Sequence, residues 1–121
     1  MAFTKDQIRT GQSAQRKYSE VDGYRLQSLT EGEKVSLEAL WNRQYQKIKD
    51  VPPTHRRALL VRSIVDDAGA RVFEDNEVAM LEDWDAQTVS KLYEVARILS
   101  GFDPGNVEAY LKNFGPPIAG E

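Results

Sequence analysis

The chain has 121 residues, 40% of them hydrophobic and 29% charged, which suffices for one water-soluble domain with a modest core. It has no cysteine, so disulfide and thiolate chemistry are excluded and a reducing compartment suits it. No apolar stretch approaches the roughly 20 residues needed to span a bilayer, and Met1-Ala2-Phe3-Thr4-Lys5-Asp6-Gln7 lacks the apolar core of a signal peptide.

The net charge of −3 is unevenly spread. Residues 1–62 hold 12 Lys/Arg against 7 Asp/Glu, a balance of +5. Residues 63–121 hold 4 against 12, a balance of −8. A solvated surface accounts for this, and an acidic face that repels nucleic acid or docks a basic partner is the alternative.

In chain order, residues 1–20 are polar and poorly periodic and read as a flexible N-terminal arm, although Thr4 could cap a short helix. Tyr24-Arg25-Leu26-Gln27-Ser28-Leu29 alternates weakly and suits a short extended piece. Thr30 then opens a helix through a capping box with Glu33. Leu37, Leu40, Trp41, Gln44, Tyr45 and Ile48 fall on one face of it. Val51-Pro52-Pro53 should stop that helix, because a residue before proline is pushed out of helical geometry. Thr54 is placed to cap a second short helix over 55–61, which must yield to a strand near 60–63.

The run Leu59-Leu60-Val61-Arg62-Ser63-Ile64-Val65 meets the turn signal Asp66-Asp67-Ala68-Gly69 and returns as Ala70-Arg71-Val72-Phe73. Gly69 tolerates positive φ, so a hairpin is expected there. Asp75 is expected to cap a short helix through Leu81. Asp85 should cap a C-terminal helix with Val89, Leu92, Tyr93, Ala96 and Leu99 on its inner face, stopped at Gly101. Asp103-Pro104 restarts a helical pattern carrying Val107, Tyr110, Leu111 and Phe114. Residues 115–121 read as an extended tail. The predicted fold is α+β: a single, mainly α-helical domain over 21–114 with one small β-hairpin around Asp66 and Gly69. Leu40, Trp41, Leu92, Ala96 and Leu99 are expected to be buried together.

Catalytic constellations are missing from the pattern. His55 is the only histidine and reads as an exposed helix-start residue without partners for catalysis or metal binding. Asp66-Asp67 and Glu82-Asp83-Trp84-Asp85 suit turns and helix starts, and neither has calcium-loop spacing. Arg56, Arg57 and Arg62 could touch phosphate, but a sequence pI near 5.2 argues against nucleic acid as a partner. Neither enzyme activity nor a cofactor is expected. Trp41, Tyr45, Phe73, Trp84 and Tyr93 read as core. The stripe Val107, Tyr110, Leu111 and Phe114, with Ile118 beyond it, is the candidate partner-binding surface, the alternative being a terminal helix docked on its own domain. A Tyr110→Ser, Phe114→Ser pair would separate the two, weakening binding in one case and unfolding the domain in the other.

Three motifs, in order, carry a resemblance. They are Leu26-Gln27-Ser28-Leu29-Thr30-Glu31-Gly32-Glu33, then Val65-Asp66-Asp67-Ala68-Gly69-Ala70-Arg71-Val72-Phe73, then Leu92-Tyr93-Glu94-Val95-Ala96-Arg97-Ile98-Leu99-Ser100-Gly101. Over residues 24–114 the chain resembles the small tail assembly chaperones of long-tailed, siphovirus-type bacteriophages. The resemblance implies a non-enzymatic role: binding the tape-measure protein, keeping it soluble, and promoting polymerisation of tail-tube protein around it. It also implies residence in the infected host cytoplasm and absence from the mature virion. Self-association is a further expectation, membrane contact is not. The rival readings are a structural tail or head–tail connector component and a small DNA-binding regulator.

Overall fold

The computed structural model describes residues 2–11 and 14–102. Its elements run α1 (Lys5–Arg9), β1 (Tyr18–Val21), β2 (Tyr24–Gln27), α2 (Glu31–Ile48), α3 (His55–Ser63), β3 (Ile64–Val65), a 3-10 turn (Val78–Leu81) and α4 (Ala86–Leu99). The fold is α+β and mainly helical, as the sequence pattern predicts. Its antiparallel sheet has the order β1-β2-β3, with Arg25 opposite Val65 and Leu26 opposite Ile64.

The turn at Gly69 forms as expected. Gly69 has φ +86°, its N–H donates to the Asp66 carbonyl at 3.0 Å, and the Asp66 carboxylate accepts from the backbone of Ala68 and Ala70. The return strand is short, reduced to a bridge between Val65 and Arg71. A Cβ on Gly69 would meet only the Tyr18 hydroxyl at 3.8 Å, so a substitution there is opposed by backbone strain rather than by space. Gly69→Val is expected to cost about 1 kcal/mol or more. Equal thermal midpoints for variant and parent would contradict this.

The larger hairpin is β1–β2, which the sequence reading missed. Its two-residue turn, Asp22-Gly23, has φ of 51° and 88°, the positive pair that matches strand twist. Tyr18, Ser19 and Glu20 therefore belong to the sheet, although the expected arm runs to residue 20. Arg16 also ties that segment down. It donates to both Glu33 carboxylate oxygens at 2.6 and 2.9 Å and to the Ser28 carbonyl at 3.0 Å.

The hydrogen bonds from Arg16, helped by the Thr30 cap, pull the Glu33 carboxyl down from 4.5 to about 2. A carboxyl depressed in the folded state stabilises it above its unfolded value, and that stabilisation is lost as pH falls from about 4.5 through about 2. Glu33→Gln should therefore lower the melting temperature at neutral pH, with the gap to the parent closing across that window. A gap that stays constant from pH 5 to pH 2 would contradict the assignment.

Helix α2 begins with the predicted capping box, the Thr30 hydroxyl accepting from the Glu33 N–H and the Glu33 carboxylate from the Thr30 N–H. It ends at Lys49 in the left-handed region, φ 60°, three residues ahead of Pro52. Thr54 holds the N-cap position of α3 but makes no side-chain cap bond. The expected Asp75 cap is replaced. Glu77 precedes the 3-10 turn, while Asp75 turns back to Arg71 at 2.7 Å and Arg62 at 3.6 Å. Asp85 caps α4 by accepting from Thr88, as expected. At the other end Phe102 N–H reaches the Arg97 carbonyl and Gly101 N–H the Ile98 carbonyl, a Schellman closure.

Leu26, Leu37, Trp41, Leu59, Leu60, Val61, Leu92 and Ala96 form the buried centre, with Leu40 and Leu99 packed partly buried against it. Helix α3 lies in the middle of this core, buried at His55 and from Ala58 to Ser63. That is why no face of it stands out in the sequence.

Candidate partner-binding site

The candidate stripe Val107, Tyr110, Leu111, Phe114 and Ile118 lies outside the described residues. The remaining sequence candidates separate in space or sink into the core. His55 is not an exposed helix-start residue. It is buried, with Nδ1 3.2 Å from the Pro52 carbonyl and its ring edge-on to Trp41 and Tyr93. It is drawn inward because it begins a helix surrounded by the rest of the core.

The three arginines do not form one patch. Arg62 is buried, donating to the Ala58 carbonyl at 2.7 Å, and burial lowers its pKa despite the pull of Asp75. Arg56 lies over the Tyr93 ring at 5.5 Å. Among the described residues no group of three or more histidines and carboxylates is placed to hold a metal. No described helix is long and apolar enough to cross a membrane.

One concave feature gathers residues from three separate segments. Tyr24 opens β2, Phe73 follows the Gly69 turn, and Trp84 precedes α4. Trp84 lies 5.4 Å from the Tyr24 ring and 6.1 Å from the Phe73 ring, giving a tilted aromatic floor. The groove above it holds about 490 Å³. Val72 lines it and is 51% exposed.

The edges of the groove are acidic, supplied by Glu20, Asp66 and Asp67. The segment 66–85, from which Asp66, Asp67, Val72, Phe73 and Trp84 line the groove, carries eight carboxylates and one arginine in sequence, with Asp75 paired to Arg71 and Arg62. Arg25, the groove's cation, is engaged within it, its guanidinium 4.5 Å from the Tyr18 ring and donating to the Asp67 carbonyl at 3.1 Å. Chemically this is a place for an apolar group accompanied by positive charge.

Sequence reasoning assigned Phe73 and Trp84 to the core. Both are half-buried and pack against the edge of the core. A signal was present: Trp84 stands among Glu82, Asp83 and Asp85, off any helical stripe, where a wholly buried indole would drag carboxylates inward.

No family model, curated protein or solved structure matches this chain.

Proposed function

We propose that this protein is a tail assembly chaperone of a long-tailed bacteriophage. It binds the tape-measure protein in the host cytoplasm, keeps it soluble while tail-tube subunits assemble around it, and leaves before the particle is complete. The observation that carries the proposal is that the three motifs of the resemblance are joined as one structural unit. The Leu29 N–H of the first motif donates to the Ser100 hydroxyl of the third at 3.0 Å, and Lys34 reaches the Gly101 carbonyl at 3.1 Å. The β2–β3 ladder sets the two other motifs side by side, with Arg25, the residue before the first motif, opposite Val65, which opens the second.

The physical demands of such a role fit. A long helical client exposes apolar stripes, and a small acidic holder covers them while adding charge that resists aggregation.

The test against a structural tail or connector component is mass spectrometry of infected-cell lysate and of purified particles. The chain is expected in the lysate and missing from the particles. Stoichiometric retention in purified particles would contradict the proposal.

A further inference from the structure

We propose that the groove floored by Tyr24, Phe73 and Trp84 docks a cationic amphipathic segment of a partner protein. An apolar side chain of that segment seats on the aromatic floor, with Lys or Arg against the carboxylate rim. This goes beyond the chaperone reading, because it names the chemistry of the segment held and requires no particular client.

The groove follows from the sheet register. Arg25 faces Val65, so the next pair would be Tyr24 with Asp66. The chain instead leaves the ladder at Asp66, whose carboxylate is turned to the backbone of Ala68 and Ala70. The cleft between Tyr24 and the returning Val72-Phe73 is therefore built by the turn itself. Its floor is held by ring contacts at 5.4 and 6.1 Å, and it retains exposed apolar surface at Val72. Met80, on the 3-10 turn of the same acidic segment, is 56% exposed.

Charge decides the occupant. Glu20, Asp66 and Asp67 against Arg25 leave the groove's lining with an excess of negative charge, which attracts a cationic segment and repels an anionic one. Nucleic acid is disfavoured by the same sign. A second copy of this chain seated by symmetry would bring two such acidic faces together. Arg25 does not oppose a cation strongly, since it is already held by Tyr18 and the Asp67 carbonyl.

The test uses the full chain carrying Trp41→Phe, which leaves Trp84 as its only tryptophan. Three synthetic peptides of about 18 residues, long enough to form helix on a surface, serve as probes: Leu/Lys, Leu/Glu and Ser/Lys at the same helical spacing. The Leu/Lys peptide is expected to change Trp84 emission saturably. The Leu/Glu peptide should leave it unchanged, and the Ser/Lys peptide should bind at least about tenfold more weakly. Val72→Ser and Asp67→Lys, both at exposed positions, should each weaken Leu/Lys binding by about tenfold with unaltered circular-dichroism melts. Equal binding of Ser/Lys and Leu/Lys would mean that charge alone is read and would overturn the proposal. So would absent Leu/Lys binding, or an affinity untouched by both substitutions. Because the probes are synthetic, each of these results is independent of whether a tape-measure protein is the client.

Discussion

Trp41→Ala is expected to destabilise the domain by about 3–5 kcal/mol, the range for deleting a fully buried large aromatic. Trp41 has no exposed surface and sits where α2 meets α3 and Phe102, three residues past the end of α4. Its ring lies 5.5 Å from Phe102 and 6.2 Å from His55. The indole N–H has no hydrogen-bond partner among the described residues, so the substitution sacrifices packing rather than a polar contact. Two consequences follow. Trp41→Phe should recover much of the loss, since it refills most of the volume without stranding an acceptor. Urea unfolding should show a lower midpoint for Trp41→Ala at an unchanged slope. A loss below about 1 kcal/mol would mean that α2 is not seated on the core as described.

Leu92→Ala is expected to cost about 2–5 kcal/mol. Leu92 is wholly buried on the inner face of α4, the helix that packs most extensively on α3. The spread within that range depends on how far Leu59, Leu60 and Ala96, members of the same cluster, can close on the space left behind. An α4 held by its Asp85 cap and Schellman closure alone would tolerate the change, because those elements sit at its ends. Equilibrium unfolding separates the two cases, and a neutral Leu92→Ala would detach α4 from the core.

What could be read from the sequence was what is encoded within a few residues. The Thr30–Glu33 box, the Asp85 cap, the Gly69 turn and the Gly101 stop each need a span of four or five positions, and each forms. The inner face of α4 was also legible, because that helix has one wet side and one dry side. Burial of α3 was not. A helix covered on nearly all sides has no contrast for periodicity to detect, and His55 and Arg62 in it look like surface residues. The β1–β2 hairpin escaped because its strands are only four residues long and β1 buries none of its side chains fully, although Asp22-Gly23 marked its turn. The groove was illegible for a different reason. Its floor joins Tyr24, Phe73 and Trp84 through a sheet register that no local pattern specifies.

The chaperone role we propose requires this chain to hold a long, helical, apolar client in solution. Co-expression with a phage tape-measure protein, followed by gel filtration of the soluble fraction, tests this most directly. The account predicts that the large protein moves from the pellet to the soluble fraction and elutes together with this chain. A large protein that stays insoluble, with this chain eluting alone, would contradict it.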